Sequence, residues 1–266
     1  MKTLFLLLLL APIWAFCTPK VLVTVAPYKY FVEQIAGKTV KVQILVPAGA
    51  SPHSFEPSAK ELVNASQSAL WLRIGEAFEK KSLKVLKDSN PRMQVVDMRQ
   101  DVINCTSDQC DNHIWLSLEL VKMQALIIKN ALSKLSPQNE PLYQMGLERF
   151  LRNIDKMSLD FKRLFEKHPT KAILVSHPAF AYFCRDYAIK QLSVEHEGRE
   201  PTIKQTDELI NILKDLGVTK AILEPQYQNK GTLLIANMLK LQTYLIDPYA
   251  EGWELNMKYI ATTFAS

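Results

Sequence analysis

Glycine is scarce in this chain, 8 of 266 residues, and no glycine-rich loop of the kind that cradles phosphate is present, so the usual sequence mark of nucleotide binding is missing. Neither an HExxH signature nor a Gly-x-Ser-x-Gly turn occurs, which takes away the commonest zinc-protease and serine-hydrolase patterns. There is no low-complexity tract, no repeat at a fixed period and no block of like charge. The 32 basic and 27 acidic residues are interspersed, for a net charge of +5. That excess favours solubility and gives no sign of a nucleic-acid partner.

Long apolar runs are also absent, with one exception. Met1 and Lys2 precede LFLLLLLAPIWAF, residues 4–16. This run is short for a bilayer span and too close to the N-terminus to be core, so residues 1–17 read as a secretory signal peptide, with an uncleaved anchor as the alternative. The small residues Ala15 and Cys17 suit cleavage after Cys17. Lipidation of Cys17 is the other outcome, and bulky Phe16 beside it argues against that. The remaining 249 or so residues suffice for two ordinary domains with full cores.

Cysteine is sparse too, at four residues. Cys105 and Cys110 lie in a polar loop, DVINCTSDQCDNH, where they could close a short disulfide ring, form an accessory metal trap with His113, or stay unpaired. A disulfide there leaves Cys184 as a lone thiol.

What the chain does contain is an alternation of strands and helices. KVLVTV (20–25), with β-branched residues and no polar alternation, predicts a strand buried on both faces. A helix from about Tyr28 to Gly37, the strand VKVQILVP, a helix from Ser58 to about Ser66, the strand ALWLRIG, the helix EAFEKKSLKVLKDS and the strand QVVDM follow. A helix is expected from Ile114 to Leu135. From Ser136-Pro137 to about Lys167 one long amphipathic helix is predicted, its apolar stripe being Leu142, Met145, Leu147, Phe150, Leu151, Ile154, Met157, Phe161, Leu164 and Phe165. A second βα series then runs to the C-terminus. The fold class is therefore α/β: two lobes, each a parallel sheet flanked by helices, residues 18–135 and 169–266, with the helix at 136–168 read as a rigid backbone helix joining them, an ordinary long bundle helix being the alternative.

Four potential metal ligands stand out, His53, His113, His177 and Asp247, separated by 60, 64 and 70 residues. His53 follows a strand, in a loop stiffened by Pro52 and Pro57. His177 and Asp247 each end a strand and precede a proline. Ligands in open parallel sheets bind at these carboxyl ends. His113 is expected at a helix start, where the dipole favours a neutral imidazole. Singly, each is more simply a surface or structural residue; together they draw on both lobes. His168 is expected to act at the end of the long helix, and His196, between Glu195 and Glu197, on the surface.

Six segments occur in a recognisable order: PHSFEPS (52–58), NHIWLS (112–117), SHPAFAYF (176–183), EPTIK (200–204), ILEPQY (222–227) and LIDPYAE (245–251). They resemble the motifs of solute-binding proteins of zinc and manganese ABC importers, the TroA/ZnuA-like type of cluster A-I, over nearly all of the chain beyond the signal. The resemblance implies that His53, His113, His177 and Asp247 hold one metal ion between two α/β lobes. It also implies periplasmic capture, delivery to an ABC permease in the inner membrane, no catalytic residues, and a monomer. Glu200 and Glu224 lie in the resembling motifs and are expected to support the ligands from behind.

Two departures from the pattern bear on cargo. The loop before His113 is short and lacks the histidine- and acid-rich tract of many zinc-type members. The third ligand is His177, where manganese-selective members often carry a carboxylate. Three imidazoles and one carboxylate favour zinc over manganese. Such a closed shell stores metal, and release requires displacing at least one ligand, with His177 and Asp247 as the expected pair. The competing readings are an exported zinc hydrolase, with Asp247 or Glu224 as base, and a metal-dependent surface adhesin.

Overall fold

The computed structural model describes residues 18–102, 111–195 and 201–266. The expected signal peptide, Cys17, Cys105, Cys110, His196 and Glu200 lie outside these.

Each lobe contains a four-stranded parallel sheet. In the first, β1 (Lys20–Val23), β2 (Lys41–Ile44), β3 (Leu70–Arg73) and β4 (Gln94–Asp97) stand in the order β2-β1-β3-β4. In the second, β5 (Ala172–Val175), β6 (Lys190–Ser193), β7 (Lys220–Leu223) and β8 (Gln242–Leu245) repeat it as β6-β5-β7-β8. The two central strands of each sheet are the most buried; AILV of β5 is buried at every position. In both sheets the chain moves outward in opposite directions from the central pair, and this switch point opens a crevice at the carboxyl ends of the strands.

The helices are α1 (Ala26–Ala36), α2 (Ala59–Ala65), α3 (Ala77–Ser89), α4 (Leu118–Leu135), α5 (Glu140–Lys167), α6 (Ala181–Asp186), α7 (Ile203–Asp215), α8 (Lys230–Leu239) and α9 (Trp253–Ala265). Their starts are chemically marked. Ser58 with Glu61, and Thr202 with Gln205, form reciprocal capping boxes at α2 and α7. None of the described helices is long and apolar enough to cross a membrane.

The long helix α5 has 28 residues, about 42 Å at 1.5 Å per residue. Its buried stripe is Tyr143, Gly146, Leu147, Phe150, Ile154, Met157, Phe161 and Phe165. The start of this stripe differs from expectation: Leu142 and Met145 are exposed, while Tyr143 and Gly146 face inward. The cause is the close crossing with α1, since a Cβ on Gly146 would stand 2.2 Å from the Ile35 carbonyl oxygen. The first half of α5 packs on α1 through Phe150 against Tyr30 and Phe31. The second half reaches the other lobe, where Phe161 and Phe165 meet Phe183 and Tyr187.

The region after His113 also differs. Residues 114–116 form a 3-10 turn, and α4 begins only at Leu118, where the Ser117 hydroxyl caps it by accepting from the Leu120 amide. Ser117 offers a local cap at which the helix can start, so His113 stands five residues ahead of α4 and not at its first turn.

One apolar core runs through both lobes. It joins β1, β3, α1 and α4 to α5, Ile173, Val175, Phe180 and Phe183, and to Trp253 and Met257 of α9. Polar ties cross the same boundary. The Trp115 indole N–H donates to the Pro248 carbonyl at 2.8 Å, and the Trp253 indole N–H donates to the Trp115 carbonyl at 2.7 Å. Tyr30 donates to Glu254 at 2.6 Å.

Candidate metal centre

Three of the four sequence-nominated ligands meet in the crevice. His53 arrives on the loop after β2, His113 on the loop after β4 and His177 on the turn after β5. Their ligand atoms all lie within 4.8 Å of one another, the one such group of His, Cys, Asp and Glu side chains among the described residues. The Nε2 atoms of His53 and His177 are 3.2 Å apart. His113 and His177 are buried; the His53 side chain keeps 35% of its surface exposed and faces the opening.

Each imidazole has a carboxylate behind it. His53 Nδ1 meets Glu76 Oε2 at 2.9 Å, His113 Nδ1 meets Asp111 Oδ1 at 2.7 Å, and His177 Nδ1 meets Glu195 Oε2 at 3.0 Å. A carboxylate at Nδ1 holds the proton on that nitrogen, which leaves the Nε2 lone pair for a ligand. The same contact on all three rings leaves Nε2 as the nitrogen each can offer, in a group whose ligand atoms lie within 4.8 Å of one another. Glu76 also accepts from Asn112 Nδ2 at 3.0 Å, and Asp111 Oδ1 accepts from the His113 amide at 2.9 Å.

The electrostatics suit a divalent cation. Burial opposes charge on His53, but Glu76, reinforced by Glu195 and Asp111, outweighs it and holds the pKa above the ordinary imidazole value. Burial, helped by the nearby His113 and His53, holds His177 below that value against the pull of Glu195. Burial would raise Glu76, yet the hydrogen bonds from His53 and Asn112 keep its carboxyl below the usual range. Three carboxylates gathered around three imidazoles give a negative pocket whose inner surface is nitrogen. Such a donor set fits zinc.

Asp247 is outside the convergent group. It follows β8 as expected, but Oδ1 accepts from Gln226 Nε2 at 2.7 Å and from the Tyr249 amide at 2.8 Å. The carboxylate lines a cavity of about 220 Å³ together with Pro52, Tyr249 and Glu251. Glu224, after β7, is fully buried and meets the third histidine at its backbone: Oε1 accepts from the His177 amide at 3.1 Å. Burial pushes this carboxyl well above the usual range. His168 ends α5, its amide donating to the Leu164 carbonyl. Cys184 is a buried free thiol whose pKa is raised by burial; in that state it is inert.

Sequence reasoning missed Glu76, Asp111 and Glu195, and it missed two tyrosines. The Tyr227 ring stacks on His177 at 4.1 Å and 10°, and the Tyr249 hydroxyl lies 2.8 Å from His113 Nε2. Glu76 and Glu195 could have been found by the strand-end rule that marked His177 and Asp247, because they follow β3 and β6.

Comparison with known proteins bears on the family and the fold. The family model described as zinc-uptake complex component A, periplasmic (ZnuA), matches residues 21–265. A putative metal-binding protein of Chlamydia trachomatis is 31% identical over 255 residues, covering 93% of this chain and 91% of that protein. A crystal structure of ZnuA is similar with a TM-score of 0.88 at 33% identity, covering 94% of this chain and 98% of the other. A zinc-bound deletion mutant of ZnuA gives 0.87 at 33% identity, over 94% and 97% of the two chains.

Proposed function

The chain belongs to the ZnuA family of periplasmic zinc-uptake components, and from that premise we propose that His53, His113 and His177 capture one zinc ion for delivery to an ABC permease. As a member of the family the protein is a substrate-binding transport component and not an enzyme. The observation that carries the metal reading is the convergence of three histidine ligand atoms within 4.8 Å, each ring backed by its own carboxylate.

In this reading the metal is cargo. The three Nε2 atoms take it, and Asp247 brings its carboxylate in from beside Gln226 as the fourth ligand. A shell closed in that way leaves no position for a nucleophilic water, which separates a carrier from a hydrolase. Glu224 holds the His177 backbone in register and does not touch the ion. Zinc is preferred to manganese because the donors are mainly imidazole nitrogen. The chain works as a monomer after removal of residues 1–17, with lobes at 18–135 and 169–266 and the connecting helix at 136–168.

Elemental analysis of the purified chain, with equilibrium dialysis against zinc at pH 7.5, tests the proposal. One zinc per chain is expected, and His177→Ala should lose at least tenfold in affinity. A His177→Ala protein that binds zinc as the wild type does would contradict it.

A further inference from the structure

Resting on the three-histidine reading, we propose that Tyr249 is a latch on the metal-free site: its hydroxyl occupies the metal-facing nitrogen of His113 and must be displaced when the ion enters. His113 Nδ1 is committed to Asp111 at 2.7 Å, so Nε2 is the acceptor nitrogen. The Tyr249 hydroxyl donates to it at 2.8 Å. The other two histidines differ, because their Nε2 atoms face each other. Metal capture therefore has to part the His53–His177 contact and also to displace a hydroxyl from a third group, and that hydroxyl is on His113.

The surroundings provide for the hydroxyl once it lets go. Tyr227 OH lies 3.4 Å from Tyr249 OH and also 3.4 Å from Ser51 Oγ, in the loop that carries His53. A short rotation of Tyr249 would give its proton a phenol oxygen to point at. Tyr227 is held in place by stacking on His177. The chain Ser51, Tyr227, Tyr249, His113 thus crosses between the lobes, from the loop that carries His53, past the ring of His177 on which Tyr227 stacks, to His113 itself. Displacing the latch on metal entry changes that chain, so the site differs between its empty and loaded forms without a large movement of either lobe. The Tyr249 ring packs on Trp115 at 5.5 Å, a contact that phenylalanine would keep.

The test is the zinc affinity of Tyr249→Phe, measured by competition with a fluorescent chelator beside wild type and His113→Ala. The latch predicts that Tyr249→Phe binds zinc more tightly, by about threefold to tenfold, the worth of one neutral hydrogen bond. Damage to the site could only weaken binding, so the direction is diagnostic. Unchanged or weaker binding overturns the latch, and a loss of tenfold or more would make the phenol oxygen a ligand. If His113→Ala binds zinc normally, the three-histidine reading fails instead. A crystal structure of the zinc-loaded wild-type chain supplies a second measurement that needs no variant. It should show the Tyr249 hydroxyl more than about 3.5 Å from His113 Nε2; a hydroxyl still bonded there, or bound to the ion, overturns the proposal.

Discussion

The carboxylates behind the histidines are as much a part of the site as the rings. A ligating imidazole is oriented by the group at its other nitrogen, and loss of that group typically costs about 10–100-fold in metal affinity. Glu76→Gln, Asp111→Asn and Glu195→Gln should each weaken zinc binding by that range in competition titrations; a variant within twofold of wild type would remove its carboxylate from the site. Glu76→Gln has a second signature. Because Glu76 helps hold His53 above the ordinary imidazole pKa, protons compete with zinc at His53 from above that value downward. Affinity should fall as the pH drops from about 8 to 6, by up to tenfold per unit for each proton displaced. In Glu76→Gln this fall should begin at lower pH, and an unshifted profile would contradict the assignment. At this scale the sequence was most legible for histidine, a rare residue whose position after strands is conspicuous. It was least legible for common acids such as Glu195, which separation along the chain conceals; Glu195 lies 18 residues from its partner His177.

Among the elements, α3 and α5 depend on single residues that pattern reading overlooks. Glu79 in the first turn of α3 is fully buried and accepts from the Thr24 hydroxyl and the amides of Ile74, Gly75 and Glu76. Burial nevertheless pushes its pKa from 4.5 to about 7. Since the folded pKa is raised, the stability it contributes is complete below about 4.5 and is lost as the pH rises through 7. Urea unfolding midpoints of the wild type should fall between pH 5 and 8, and Glu79→Gln should flatten that dependence; an identical pH slope in the variant would contradict it. Gly146 is the second case. Its predicted neighbours Leu142 and Met145 gave the right helix and the wrong starting face, because an apolar count cannot see a glycine chosen for close approach. Gly146→Ala should destabilise the chain by about 1–3 kcal/mol through clash with the Ile35 carbonyl. A urea midpoint equal to wild type would show that α1 and α5 can move apart freely. The helix expected at His113 was misplaced for a related reason: Ser117 provides a local cap that overrides the apolar run before it.

Over the whole molecule, the alternation of strands and helices was sufficient to place two parallel sheets and the long helix between them. It did not disclose how tightly the lobes are joined. The shared core along α5 and the Trp115–Trp253 hydrogen bond make the two lobes one packing unit. Calorimetry should therefore show a single cooperative transition, shifted upward by zinc through preferential binding to the folded chain. Two resolved transitions would mean that the lobes unfold separately. Small-angle scattering should change little when zinc binds, in keeping with a local latch and a stiff connecting helix; a large compaction would contradict this.

The central claim is that three imidazoles form the zinc site. The most direct test is X-ray absorption at the zinc edge on the loaded full chain. Three imidazole nitrogens are expected at about 2.0–2.1 Å, with one oxygen at a similar distance. Sulfur scattering at about 2.3 Å, or fewer than three imidazoles, would contradict it.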